Sequence, residues 1–173
     1  MRNFTEDLQK IKAFVFDIDG VLSNQTITLD MNGNPLRTIN LRDGYALQLA
    51  VKNGYKVCII SGGNSFPFKK RLNSLGVDHV YLGVSEKAAI LGEFMANLKL
   101  APEEILYMGD DIPDYHVMKM AGVAVCPGDA DNEIKQISIY ISDKVGGDGC
   151  VRDVIEQVMR LHGKWMNNDA FIW

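Results

Sequence analysis

At 173 residues, 47% apolar and 23% charged, the chain has the composition of a soluble globular protein and the length of one domain, 1–173, with a real core. A formal charge of −4 at pH 7 argues against a nucleic-acid or membrane surface as the main partner, so an anionic ligand must be drawn by a local cation. Three cysteines, two of them in apolar runs, suit a reducing, cytoplasmic setting, and no uncharged apolar run approaches the ~20 residues of a membrane span.

The first strand is expected in "KAFVFDI", 12–18, ending in the stretch "DIDGVLS". "QTITLDMNGNPLRTINL", 25–41, follows as two extended runs about an Asn32-Gly33 turn, which predicts an inserted β-hairpin. Asp43 to Lys52 reads as a helix that Gly54 ends, with Tyr45, Leu49 and Val51 facing the sheet. "YKVCIIS" is the next strand. Ser65 to Leu75 is a second helix, with Pro67 in its first turn and Gly76 after it. "HVYLG" precedes a third helix, "EKAAILGEFMANL", for which Ser85 is the expected cap. "ILYMG" leads to a fourth helix opened by Pro113, and "VAVC" and "IYIS" are the last strands. A final helix is expected from about Cys150 to His162. The tail 164–173 then carries Trp165, Phe171, Ile172 and Trp173, apolar residues that need something to pack against. Strands alternating with helices, and apolar on both faces, predict an α/β fold: a doubly wound, Rossmann-like parallel sheet.

Asp17 and Asp19 end the first strand. Residues two apart on an extended chain point the same way, and the strand's C-terminal edge is where such sheets bind ligands. A lone D-x-D-G is often a solvated turn; a calcium loop is set aside because its twelfth position is Thr28 rather than Glu. Other strand ends carry matching chemistry. Ser61, followed by Gly62 and Gly63, offers a hydroxyl and free N–H groups to phosphate oxygens. Lys87 supplies a cation at a helix start. Asp110, Asp111 and Asp114 form an acidic group that repels itself unless a cation joins it.

D-x-D-G, then Ser, then Lys, then G-D-D-x-x-D, in this order, resembles the four motifs of the haloacid dehalogenase superfamily of phosphotransferases, over nearly the whole chain. The gaps from Asp17 to Ser61 and from Ser61 to Lys87 hold no separate cap domain. "RDGYALQ" (with Arg42, Asp43 and Gly44) and "GGDGCVRDVIEQV" are similar to segments of its small capless subgroup, which dephosphorylates eight-carbon sugar acids of lipopolysaccharide synthesis. The resemblance implies Asp17 as nucleophile and Asp19 as acid and base, with Ser61 and Lys87 holding the transferring group. It implies Mg²⁺ on Asp17, the main-chain carbonyl of Asp19 and Asp110. Asp111 and Asp114 stand behind these, Asp114 orienting Lys87. Gly62, Gly63, Asn64, Arg42 and Arg152 are the implied substrate contacts, although Arg152 also suits an i, i+4 pair with Glu156. Asn24 and Asn64 depart from the subgroup's pattern, whereas Gly63 favours the eight-carbon substrate. Subgroup members are homotetramers whose hairpins pack together and whose C-terminal regions reach a neighbour's site. Two alternatives stay open: a phosphatase for another phosphosugar acid or nucleotide, and a non-catalytic oligomeric binding protein of the same fold.

Overall fold

The computed structural model describes residues 4–172. Six strands, β1 (Ala13–Phe16), β4 (Lys56–Ile60), β5 (His79–Tyr81), β6 (Ile105–Met108), β7 (Val123–Cys126) and β8 (Tyr140–Ile141), form one parallel sheet in the order β5-β4-β1-β6-β7-β8. The period of two sorts each strand between two cores. Phe14, Phe16, Val57, Ile59, Leu106 and Met108 face one layer, and Ala13, Val15, Cys58, Ile60, Ile105 and Tyr107 face the other. Both faces are covered, which is why the strands read as unbroken apolar runs. The first layer holds α1 (Phe4–Leu8), α2 (Leu41–Lys52), α3 (Phe66–Ser74) and α7 (Cys150–Leu161); the second holds α4 (Lys87–Leu98), α5 (Tyr115–Met118) and α6 (Asn132–Ile137). No helix among the described residues is long and apolar enough to cross a membrane.

The hairpin is present as β2 (Thr28–Leu29) and β3 (Pro35–Leu36), antiparallel, with Gly33 at φ +80° in the turn. Leu29, Met31 and Leu36 on it are exposed. Several local expectations need correction. Ser85 does not cap α4; Glu86 holds that position and makes no side-chain cap bond. The helix expected to open at Pro113 is a 3₁₀ turn, Ile112–Asp114, followed by the single turn of α5. Short helices α1 and α6 were not legible, the second despite its Asp131 cap on the Glu133 N–H. Of the three α2 residues expected on the sheet, Leu49 is buried, and Tyr45 and Val51 are half-buried but packed against the same core. Tyr45 also serves the tail: its hydroxyl donates to the Ala170 carbonyl, and its ring meets the buried Trp165 edge-on. Lys52 Nζ donates to the Ile172 carbonyl at 2.8 Å, so the tail through Ile172 lies on its own chain's α2. Phe171 and Ile172 stay exposed, and Trp173 lies outside the described residues.

Asp43 is buried and accepts from the Arg152 N–H at 2.7 Å and the Gly149 N–H at 3.2 Å, so α2 caps the start of α7. Burial pushes its pKa up to about 6 against the pull of these bonds. Asp43→Ala strands two N–H groups and is expected to cost about 2 kcal/mol. In a domain of this size that lowers Tm by roughly 4–8 °C. A thermal melt at pH 7 checks it; an unchanged Tm would remove Asp43 from the joint.

Candidate active site

The strand order reverses between β1 and β6. The crevice outside their C-terminal ends is the switch point at which doubly wound sheets bind ligands. The Asp17 N–H makes the last ladder bond, to the Met108 carbonyl at 3.2 Å, and Ile18 drops into the core. Asp17 and Asp19 then both face one cavity of about 550 Å³. Gly20, at φ +82°, turns the chain back so that its N–H meets the Ser23 carbonyl at 3.0 Å. Only glycine fits there, because a Cβ would collide with the Asp110 carboxylate. After β6, a Cβ at Gly109 would likewise collide with the Asp114 side chain. The two acidic loops therefore approach each other at bare backbone.

Lys87, in the first turn of α4, is buried and reaches Asp17 Oδ2 at 3.0 Å and Asp114 Oδ1 at 2.8 Å. Burial works against its charge, but the two carboxylates outweigh burial and raise its pKa. The Tyr107 hydroxyl donates to the same Asp114 oxygen at 2.8 Å. Ser61 is buried at the end of β4, its Oγ accepting from the Gly63 N–H at 3.1 Å. Ser61, Gly62 and Gly63 line the cavity with the aspartates and Lys87.

Asp17, Asp110 and Asp114 lie close enough to offer three carboxylate oxygens to one cation. Asp114 is already occupied by Lys87 and Tyr107. Asp17 Oδ1 and Asp110 Oδ1 are instead buried without any hydrogen-bond partner among the described residues. Orphaned carboxylate oxygens suit a hard divalent cation, so Asp17 and Asp110 are the side chains that fit a metal. The side chain of Asp19, at the cavity wall, is taken up by Arg37: Nε donates to Oδ1 at 2.6 Å and Nη2 to Oδ2 at 2.8 Å. Asp111 points its carboxylate back to the Ile112 N–H at 2.7 Å, at the cavity wall.

Burial, with Asp114 nearby, pushes Asp17 up to about 7 despite Lys87; burial, with Asp17, Asp114 and Asp111 nearby, pushes Asp110 up to about 8. Both carboxyls are thus disfavoured as anions until a cation joins them, and cation binding is coupled to proton release. Divalent-cation affinity is expected to rise from pH 6 to pH 8 and then level off. Calorimetry in buffers of different ionisation heat reads the released protons. Stability of the metal-free protein runs the other way: raised folded values give stability below the unfolded pKa of 3.8 that is lost as pH rises through about 7 to 8. An affinity flat across this range would mean that the pair does not hold the cation.

Three expected substrate contacts fall outside this cavity within the chain. Asn64 is exposed and does not line it. Arg42 and Arg152 line a separate cavity, where Arg152 pairs with Glu156 at 3.2 Å and lies over the Trp165 ring. The glycines before Arg152 have a different use: Gly147 N–H donates to the Val21 carbonyl at 2.8 Å, and a Cβ on Gly146 would collide with the Gly20 carbonyl. Gln25, Ser85, Asp129 and Asp131 line the site without having been expected there, and Arg37 reaches it from the hairpin. For Asp131, the helix-capping pattern was the available signal; for Arg37 there was none.

Residues 80–154 match the family model of haloacid dehalogenase-like hydrolases. Over 156 residues the chain is 34% identical to 3-deoxy-D-manno-octulosonate 8-phosphate phosphatase of Escherichia coli K12, covering 90% of this chain and 83% of that protein. The crystal structure of the Yersinia pestis phosphatase of that name superposes with a TM-score of 0.89 at 32% identity, covering 92% and 86% of the two chains. That of the Moraxella catarrhalis phosphatase, in complex with a magnesium ion, a phosphate ion and a KDO molecule, gives 0.87 at 28% identity, covering 96% and 93%. With its motifs gathered at the switch point and its likeness running almost end to end, the chain belongs to the 3-deoxy-D-manno-octulosonate 8-phosphate phosphatase family of the haloacid dehalogenase-like hydrolases.

Proposed function

We propose that this phosphatase hydrolyses 3-deoxy-D-manno-octulosonate 8-phosphate to the free sugar acid and phosphate through an aspartyl phosphate on Asp17, in the route to lipopolysaccharide. The observation that carries this reading is the meeting of Asp17, Asp19, Ser61, Lys87 and Asp110 in one cavity of a chain of this family. Mg²⁺ on Asp17, Asp110 and the main-chain carbonyl of Asp19 supplies charge neutralisation between two anions. Asp17 attacks the phosphoryl group, and Asp19 gives a proton to the leaving alkoxide. Asp19 then takes a proton from the water that opens the acyl phosphate. The Ser61 hydroxyl, the Gly62 and Gly63 backbone and Lys87 hold the phosphoryl oxygens, and Asp114 with Tyr107 keeps Lys87 in place.

One observation favours a second reading. Among the lining residues Lys87 is the single cation against seven aspartates, which suits a polyol better than a carboxylate. The sugar acid is accommodated if a neighbouring copy supplies cations. Arg42 and Arg152, outside the Asp17 cavity of their own chain, and the exposed Leu29, Met31 and Leu36 of the hairpin support a homotetramer with shared sites. A phosphate-release screen over sugar-acid phosphates, neutral sugar phosphates and nucleotides, with and without Mg²⁺, tests both readings. The sugar acid is expected to lead; a neutral sugar phosphate in first place selects the second reading, and no release from any compound returns the binding-protein alternative.

Deletion of 168–173 spares the buried Trp165 and removes the Ala170 and Ile172 contacts. It is expected to lower kcat/KM for the sugar-acid phosphate about tenfold, ~1.4 kcal/mol, with p-nitrophenyl phosphate less affected. Sedimentation should show an assembly. A fully active monomer indifferent to the deletion refutes the shared site and leaves the phosphatase intact.

A further inference from the structure

We propose that Arg37 is the positioning residue for Asp19, an arm by which the inserted hairpin sets the proton donor and acceptor of the site. This rests on the reading of Asp19 as acid and base. Arg37 directly follows β3, eighteen residues after Asp19. Its side chain is only 6% exposed, whereas that of Asp19, at the cavity, is 40% exposed. Both Asp19 oxygens are held, at 2.6 and 2.8 Å, by two nitrogens of one planar guanidinium. Such a pair fixes the plane of a carboxylate as well as its place, which a lysine's point charge cannot do. A carboxylate has about four lone-pair sites; Arg37 takes two and leaves two for proton transfer.

Two further observations separate this pair from a surface ion pair. The remaining Arg37 nitrogen, Nη1, is buried and has no acceptor among the described residues, so no second hydrogen-bond partner there draws the guanidinium away from Asp19. Gly63, in the loop after Ser61, is closed over the pair: a Cβ there would collide with Arg37 Nη2 and stand 3.0 Å from Asp19 Oδ2. The glycine that lines the phosphate cavity thus also makes room for the arm. Without Arg37, a half-exposed Asp19 is free to leave its productive rotamer, and a misplacement of about 1 Å can cost ~10²-fold in rate.

The two half-reactions make the role measurable. In the first, the bond from phosphorus to the leaving oxygen breaks as Asp17 bonds to phosphorus, and Asp19 passes its proton to that oxygen. In the second, water bonds to phosphorus, the bond to Asp17 breaks, and Asp19 recovers a proton from the water. A sugar alkoxide needs the proton in the first half; p-nitrophenolate does not. Arg37→Met is therefore expected to lower kcat on 3-deoxy-D-manno-octulosonate 8-phosphate by about 10- to 100-fold, below the ~10²–10⁴ typical of a whole acid–base group, with KM within about threefold. On p-nitrophenyl phosphate the same variant should release a stoichiometric burst of p-nitrophenol before slow turnover. Arg37→Lys, which keeps the charge and loses the fork, should recover part of the rate, and it carries the same comparison if Arg37→Met does not fold. Asp19→Asn with Arg37→Met should be no slower than Asp19→Asn alone, as for residues acting as one unit. Wild-type turnover of the sugar-acid phosphate by Arg37→Met overturns the proposal, as does a loss that multiplies onto that of Asp19→Asn. If Asp19→Asn itself keeps wild-type turnover, the acid–base reading has failed and Arg37 has nothing to position.

Discussion

Asp17→Asn is expected to abolish turnover while leaving the fold as stable as before or more so. Asparagine keeps the shape of the side chain and removes the proposed nucleophile, a loss of about 10⁴- to 10⁶-fold by analogy with other enzymes that form a covalent intermediate. Such a variant is often suspected of misfolding, and here the electrostatics separate the two effects. Asp17 sits with its carboxyl pushed up to about 7 by burial and by Asp114, so the folded protein disfavours its charge. Lys87 keeps Asp114 at 2.8 Å when Asp17 is neutralised. Metal-free melts at pH 8 should therefore show a Tm equal to or above wild type. Acid-quenched enzyme should carry no phosphate. Near wild-type turnover in this variant, with contamination excluded, removes Asp17 as nucleophile; a collapsed Tm removes the account of its charge.

The parts of this molecule that local pattern controls were legible. Strands buried on both faces have to be apolar throughout, and Val15, Ile59 and Leu106 mark them without ambiguity. The positions of Asp17, Ser61 and Asp110 follow, because chemistry placed directly after such a run lands on one sheet edge. Asn32-Gly33 disclosed the hairpin by the same local logic. What escaped depends on chain segments far apart in sequence. Asp43 looks in the sequence like part of a functional R-D-G segment, but its carboxylate meets backbone N–H groups 106 and 109 residues away and belongs to the α2–α7 joint. Arg37 has the look of a solvated hairpin arginine until the angle at which the hairpin folds back is known. The pairing of Arg152 with Glu156, by contrast, was open to view in the i, i+4 spacing.

The glycines show the same division. Gly33 and Gly54 serve local turns, with nothing near them that a Cβ would touch. Gly20 and Gly146 are needed because something far away in sequence must come close: the Asp110 carboxylate and the Gly20 carbonyl. The first motif, the fourth motif and the late glycine segment therefore interlock at bare backbone. That contact holds the loop after β1 by its backbone, so that Lys87 and Arg37 meet Asp17 and Asp19 at fixed places.

Asp19→Asn should slow turnover of the sugar-acid phosphate by about 10²- to 10⁴-fold, the usual worth of a general acid–base group, and change Mg²⁺ affinity by no more than about threefold. The two numbers differ because the two roles proposed for the residue use unrelated atoms. Its carboxylate is turned to Arg37, whereas the orphaned oxygens available to a metal belong to Asp17 and Asp110. Its carbonyl is placed by the backbone, through the bridge to Ser23 and the bond from the Gly20 N–H to the Ser23 carbonyl at 3.0 Å. Neither is altered by an amide in place of the acid. Asparagine still offers Arg37 one acceptor oxygen, so the arm is weakened and not released. Mg²⁺ titrations of the metal-free variant, read by calorimetry beside its kcat, decide the point. An affinity that falls in step with rate makes the Asp19 side chain a metal ligand and takes the proton transfer away from it.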